Sequence, residues 1–410
     1  MISFLLPLLL LSPASVSDGF SSGGHVHLIR VKSGKRFIDD GKRTSPVPKS
    51  ATFVVPCEGR YRYLFVSHEG VLRADGSLLA KRETLFAAAD PSHLYVAPLC
   101  APDGKTLRLP TQKGIEILSV DDGKHLQTLP FKPRAKTYSG HVHQGRSRER
   151  AYAVALSVYV PRMMDFDTNQ DGLLDLVVLS DAVLSIYRKK VDGSYAPHRI
   201  RHDLRRLLSV PAGRPLHVVF GDIDDDGSAA IVLSHSEGIV PSETHIAIYD
   251  VNRGALKKRL AEIHEGWWFP MVAQNGAWFR QIDTSLLSLG QALMTQEADM
   301  TLWRFAKNEL KEHTTLRAHF DLRSRRQTSQ LPLLADLNGD GWPELTTLSK
   351  EHVLEIRQGT PEGFLEPSVK KSMAKETVWV PSTQQLLVIE VEKGKLHRLS
   401  LPKKRHSRRR

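Results

Sequence analysis

Apolar residues in this chain come in short runs rich in Val, Ile, Leu and Thr, and most runs have a second one a tight turn away. The clearest are "LDLVVLS" with "AVLSIYRK" from Ala182, "AAIVLS" with "THIAIYDV" from Thr244, and "ELTTLS" with "HVLEIRQG" from His352. Runs of this length, bounded by Gly, Asp and Asn, predict buried strands and not helices. The plan of strand, short turn, strand, Gly-Lys turn, strand recurs in "TLRLPTQKGIEILSVDDGKHLQTLP" from Thr106 and "TVWVPSTQQLLVIEVEKGKLHRLSLP" from Thr377. "YLFVSHEGVLRADGSLLAKRE" from Tyr63 and "ADMTLWRFAKNELKEHTTL" from Ala298 read the same way. Strand pairs near residues 63, 106, 175, 229, 298, 344 and 377 make seven.

Polar positions are as ordered as the apolar ones. "MDFDTNQDGLLDLVVLSD" gathers Asp165, Asp167, Asn169, Asp171 and Asp175 in front of a strand. Asp, Asn and Gly favour any tight turn, so crowding alone says little. Spacing says more. Counted from Asp167, oxygen-bearing side chains fall at positions one, three, five and nine (Asp167, Asn169, Asp171, Asp175), with Gly172 at six and the carbonyl of Leu173 at seven. Alternate positions of a curled loop converge, Gly permits the reversal, and the last acid closes the shell, as a hard cation such as Ca²⁺ requires. The loop leads into a strand, so it is not an EF-hand. Two further copies follow: Asp222, Asp224, Asp226 with Gly227, and Asp336, Asn338, Asp340, Gly341, the carbonyl of Trp342, and Glu344. In the middle copy position nine is Ala230, so its closing carboxylate is missing. Asp167 and Asp222 are 55 positions apart and Asp336 lies a further 114 on, which is twice 57, so one unit between them has lost its acids.

A fixed period of this size built from short strands indicates a solenoid or propeller. The segments "DTNQDGLLD", "DIDDDGSAA" and "DLNGDGWPE" resemble the FG-GAP and VCBS repeats, the calcium-loop blades also found in the head of integrin alpha chains. The resemblance covers residues 155 to 360 directly. It implies an all-β propeller of about seven four-stranded blades, integrin-alpha-like, with Ca²⁺ in the acidic loops. The propeller is expected over 23–401, and the strand "HVHLIRV" at His25 is expected to complete the last blade and close the ring.

The ends add a location and a charge. "MISFLLPLLLLSPASVSDG" has the shape of a signal peptide, residues 1–17, which makes the protein exported: periplasmic, extracellular or on the cell surface. No internal apolar stretch approaches the ~20 residues of a membrane helix. Outside the cytosol, millimolar calcium fills loops of modest affinity. Cys57 and Cys100 stand at equivalent positions ahead of consecutive blades, so an oxidising compartment favours a disulfide, the alternative being two buried thiols. Of the formal charge of +12, the last nine residues contribute six (Lys403, Lys404, Arg405, Arg408, Arg409, Arg410). Residues 402–410 read as a solvated tail, or as an anchor to an acidic surface polymer or lipid. Export and the lack of a basic, aromatic-interleaved stripe argue against nucleic acid.

Other constellations are weaker. "GHVH" occurs twice, at His25 with His27 and at His141 with His143, without an evident third metal ligand. "EGWWFPMVAQNGAWFRQ" gathers Trp267, Trp268, Phe269, Trp278 and Phe279, which either fill an irregular blade or offer a stacking surface. Hydrolase, metalloprotease and nucleotide-loop motifs are absent, and "SMAK" at Ser372 lacks its partner motifs. The expectation is a non-enzymatic, calcium-binding module for binding or adhesion to a surface glycan or protein. The alternative from another class is a carbohydrate-active enzyme, a polysaccharide lyase or hydrolase, on the same scaffold.

Overall fold

Alternation of side chains gives each strand run one face for the sheet before it and one for the sheet after it, so neighbouring hairpins stack around a ring. The computed structural model describes residues 15–22, 25–32, 34–84, 94–132, 161–180, 182–211, 214, 216–223, 228–237, 243–273, 276–295, 297–306, 308–319, 333–349, 351–374, 377–382, 385–390, 395–399 and 401. The first sheet holds β1 (Ser15–Ser22), β2 (His25–Lys32), β3 (Lys35–Asp39) and β4 (Thr44–Pro46). The second holds β5 (Phe53–Pro56), β6 (Tyr63–Ser67), β7 (Gly70–Leu72) and β8 (Leu78–Lys81), with β9 (Tyr95–Val96) parallel to β5. The third is β10 (Thr106–Thr111), β11 (Gly114–Ser119) and β12 (His125–Leu129).

Three regular antiparallel sheets follow. They are β13 (Arg162–Phe166), β14 (Asp175–Ser180), β15 (Val183–Lys189) and β16 (Tyr195–Asp203), capped by α1 (Leu204–Leu207); then β17 (His217–Gly221), β18 (Ala230–Ser236), β19 (Glu243–Asn252) and β20 (Ala255–Glu265). The next has β21 (Trp267–Ala273), β22 (Gly276–Ile282), β23 (Glu297–Ala306) and β24 (Glu309–His319), with α2 (Leu286–Thr295) between its middle strands. The last two are β25 (Leu333–Ala335), β26 (Glu344–Leu348), β27 (Val353–Gly359) and β28 (Phe364–Ser372), and the three-stranded β29 (Thr377–Ser382), β30 (Gln385–Glu390) and β31 (Lys395–Leu399).

The chain is thus an all-β propeller, with a sheet at each of the seven strand pairs counted in the sequence. The N-terminal strands depart from expectation. β2 does not join the last blade; it pairs with β1 and β3 in a sheet of its own. β1 touches β29 on one side and β5 on the other, so this extra sheet closes the ring between the last and first of the seven. The physical reason is loop entropy, since a hairpin to β3 closes a far shorter loop than pairing with a strand near the C-terminus. Register along β1 slips between Val16 and Asp18, and pairing is regular from Asp18 to Ser22.

Contacts of β17 with β21, and of β1 with β5 and β29, place the first strand of each sheet toward the ring axis. Hydrophobic clusters fill the seams between consecutive sheets: Val177, Ile186, Phe220 and Ile231 in one, Val232, Ile248, Trp268 and Phe279 in the next. Trp278, Leu302 and Leu345 fill the seam after that. Among the described residues no helix is long and apolar enough to cross a membrane.

Candidate metal centres

The acidic loops connect the inner strand of a blade to its neighbour, where the chain leaves the ladder and must reverse within a few residues. In the first loop the reversal uses Gln170 and Gly172, with φ of 62° and 82°. Asp167 gathers the backbone: its Oδ1 accepts from Asn169 and Asp171 N–H at 3.3 and 3.1 Å, and its Oδ2 from Gly172 at 2.8 Å. Burial opposes its ionisation, but these N–H groups outweigh burial and hold its carboxyl below the usual range. Asp171 Oδ1 accepts from Leu173 N–H at 2.8 Å, and its Oδ2 from Asn169 Nδ2 at 2.8 Å. Asp175 is fully buried; it accepts from Thr168 Oγ1 and from Lys189 N–H, the latter at 2.8 Å.

The third loop repeats this frame. Asp336 accepts from Gly339 and Gly341 N–H at 2.6 and 3.1 Å, and Asp340 accepts from Trp342 N–H at 2.9 Å and Asn338 Nδ2 at 3.1 Å. Glu344 is fully buried and accepts from Leu337 N–H at 2.6 Å and Asn338 Nδ2 at 2.8 Å. Burial, reinforced by the charges of Asp340 and Asp336, pushes its carboxyl up to about 7 against those hydrogen bonds. Arg304 lies 4.4 Å over the Trp342 ring and fixes that side of the loop.

Position nine is the same place in all three blades, the first residue of β14, β18 and β26: Asp175, Ala230 and Glu344. Each is buried, and Ala230 joins the apolar seam instead of closing a shell. Asp222 is the described acid of the middle loop; Asp224, Asp226 and Gly227 lie outside the described residues.

Among the described residues, no three His, Cys, Asp or Glu side chains stand as a metal-holding group. The loops offer a mixed set instead, in which amide and backbone oxygens supplement carboxylates, and this suits a hard cation. Asn169 Oδ1 is buried without a hydrogen-bond partner, an oxygen left over at loop position three. Asn169 Nδ2 donates to Asp171 alone, and an amide flip would turn the unpartnered oxygen to that side, whereas Asn338 Nδ2 bridges Asp340 and Glu344 and its Oδ1 accepts from Asp340 N–H at 2.8 Å. The residues present therefore fit Ca²⁺: Asp167, Asn169, Asp171, Asp175 and the Leu173 carbonyl in one loop, and Asp336, Asn338, Asp340, Glu344 and the Trp342 carbonyl in the other.

Asp165, counted with these acids in the sequence, has another task. It forms a two-pronged pair with Arg108 of the preceding blade, 2.7 Å for one prong, and Tyr195 Oη accepts from the same guanidinium at 3.2 Å. Cys57 and Cys100 are joined in a disulfide with Cα atoms 5.4 Å apart. His25 is exposed, whereas His27 is buried against Phe20 and Tyr63; His141 and His143 lie outside the described residues. Trp268, Trp278 and Phe279 are core, while Trp267 and Phe269 stay partly exposed. Residues 1–14 and 402–410 lie outside the described residues. Sequence reasoning missed Thr168 and the Lys189 N–H as partners of Asp175, and no local spacing signals them.

Acidic loops placed between the first and second strands of propeller blades define a class of repeat. Residues 167–233, spanning the first two loops, match the model of the FG-GAP-like repeat. The chain is a β-propeller whose first two acidic-loop blades carry the FG-GAP-like repeat. No curated protein sequence matches it. Among solved structures it is similar to an Agrocybe aegerita lectin described as recognising non-reducing terminal N-acetylglucosamine, at 13% identity and a TM-score of 0.41, over 88% of this chain and 80% of that one. It is also similar to an acylaminoacyl peptidase of Pyrococcus horikoshii, at 9% identity and 0.40, over 95% of this chain and 52% of that one. Hsv2 of Kluyveromyces lactis matches at 14% and 0.34, over 74% of this chain and 71% of that one. These likenesses are too distant to carry an argument about what the chain binds.

Proposed function

We propose that the chain is an exported, calcium-binding FG-GAP-repeat propeller that acts as a non-enzymatic module for binding or adhesion to a surface glycan or a protein partner. The observation that carries the reading is the third loop, in which buried Glu344 meets the charges of Asp340 and Asp336 across a turn only a few residues long, with buried Asp175 at the same place in the first loop. Like charges held this close are stable only with a counter-ion or a proton. The Cys57–Cys100 disulfide supports an oxidising compartment. Partly exposed Trp267 beside Phe269 supplies a stacking face for a sugar or an apolar anchor. The basic residues of 402–410 add attachment to acidic polymer or lipid.

Calorimetry with CaCl₂ tests the metal, and retention of surface glycans and surface proteins with and without chelator tests the role. Calcium heat that chelation abolishes, together with retention of a surface glycan or protein, supports the reading. Absence of calcium heat, or turnover of a polysaccharide by the pure protein, refutes it.

A further inference from the structure

The acidic loops follow the inner strands, so the starts of those strands lie at the opposite end of the ring. Three consecutive blades bring side chains together there. Arg162 begins β13, His217 begins β17, and Trp267 and Phe269 open β21. Arg162 Nη1 reaches the Val218 carbonyl of the next blade at 3.4 Å. The His217 ring stands 5.3 Å from Phe269, edge to face, and Phe269 stands 4.3 Å from Trp267. Phe269 pairs directly with Arg280 across the β21–β22 ladder, which sets both side chains on one face of the sheet.

Arg280 is the anomaly of this cluster. Its Nε is buried with no hydrogen-bond partner, and among the described residues no carboxylate pairs with it. Burial alone drives its pKa down, with no acid opposing the shift. His217 tells the same story: burial, then His235, then Arg162 push it down, and again no acid appears among the causes. A guanidinium removed from water without an anion is costly, and such groups are normally paired. Trp267 keeps 36% of its surface exposed, and Arg162, next to His217, is exposed too. An accessible aromatic face therefore sits next to a cation that lacks its partner.

We infer that this end of the ring axis binds an acidic saccharide, with the sugar ring on Trp267 and Phe269 and its acid group on Arg280, backed by Arg162. The stacking face selects a flat apolar surface, and the fork of Arg280 matches a carboxylate in two-pronged geometry. The inference rests on the glycan-binding reading above for its ligand class and names which glycans. It does not depend on the calcium loops, which occupy the other end.

The test uses the full chain and a short hexuronate oligomer, its neutral hexose counterpart, and sodium sulfate, followed by tryptophan fluorescence and calorimetry. The expected result is binding of the hexuronate with no comparable signal from the neutral oligomer or from sulfate. Arg280→Gln and Trp267→Ala should each weaken it about tenfold or more, while Arg317→Gln, on the outer strand of the same blade, leaves it unchanged. Arg280→Gln should also melt no lower than the parent, because it removes a charge that has no partner. Equal affinity for the neutral oligomer, no hexuronate binding, unchanged affinity in both variants, or a lower melting point for Arg280→Gln overturns the inference. Calcium binding that persists without hexuronate binding overturns this inference alone. Hexuronate binding without calcium heat removes the calcium reading and leaves this one standing.

Discussion

Replacing Glu344 by Gln should change stability with opposite sign in the presence and absence of calcium. The carboxyl of Glu344 ordinarily titrates at 4.5 and is pushed up to about 7 in the fold by burial and by Asp340 and Asp336. That distance corresponds to about 3 kcal/mol. Because the folded value is the higher one, the contribution to calcium-free stability is fully present below pH 4.5 and is lost as pH rises through about 7. Gln cannot ionise, so its stability stays flat across that window. Gln also gives up one of the two bonds accepted from Leu337 and Asn338, worth about 1 kcal/mol. After chelation, E344Q should therefore be about 1 kcal/mol less stable than the parent at about pH 4, below the unfolded value, and about 2 kcal/mol more stable at about pH 8. With calcium the order at pH 8 reverses. The parent gains about 2.7 kcal/mol at a hundredfold excess over Kd, and the variant lacks the carboxylate that closes the shell. Urea unfolding followed by tryptophan fluorescence, in four combinations of pH and calcium, reads all of this. Parallel curves for parent and variant across pH after chelation would refute the burial argument, and an unreversed order in calcium would refute the ligand assignment.

The remaining predictions concern other parts of the ring. Cys57→Ser with Cys100→Ser opens a loop spanning 43 positions and should cost about 4 kcal/mol by the loop-entropy relation, measured by urea unfolding against the oxidised parent. Asp165→Asn leaves Arg108 buried without its counter-charge and should cost about 3 kcal/mol, whereas Asp299→Asn, which breaks an exposed pair with Arg317, should cost under about 1 kcal/mol; equal effects would show that burial of the first pair is immaterial. Calcium titration should rank the middle loop weakest, because Ala230 stands where Asp175 and Glu344 stand, and Asp222→Ala should remove the weakest step and no other.

The features legible in the sequence are those whose partners are near in the chain. Strand pairs and acidic loops repeat with local spacing, so Asp167, Asn169 and Asp171 could be grouped in one curled loop before any fold was known. Asp165 could not be separated from them, because its partner Arg108 lies 57 positions upstream in another blade. The N-terminal sheet was missed for a similar reason: β4 is only three residues long and half exposed, and carries no apolar alternation. At the far end of the ring, Arg162, His217, and Trp267 with Arg280 come from three different blades, and only the shared position at or beside the start of an inner strand connects them. Register puts Trp268 and Phe279 on one face of the sheet and Trp267, Phe269 and Trp278 on the other, where Trp278 on the second strand is buried and Trp267 and Phe269 on the inner strand stay partly exposed.

The blade without an acidic loop is held together differently from its neighbours. Its inner hairpin ends at Ala273 and resumes at Gly276, leaving two positions where its neighbours have a loop of eight residues or so. A turn this short needs no cation to organise it. The same blade carries Trp268, Trp278, Phe279 and Phe305, all with at most 1% of their surface exposed and among the largest fully buried side chains of the described residues. Each such side chain removes roughly 150–250 Å² from water, worth several kcal/mol at about 25 cal/mol per Å², which exceeds the stabilisation expected from one modest calcium site. Aromatic packing thus fills the seams where the acidic loop is missing, and on the proposed reading this blade needs no calcium. Trp267 and Phe269 continue that aromatic strand out of the core to the open end of the ring, beside an arginine that has no carboxylate partner among the described residues. Chelation should accordingly loosen the loops at one end of the propeller while leaving the aromatic end, and its ligand, in place.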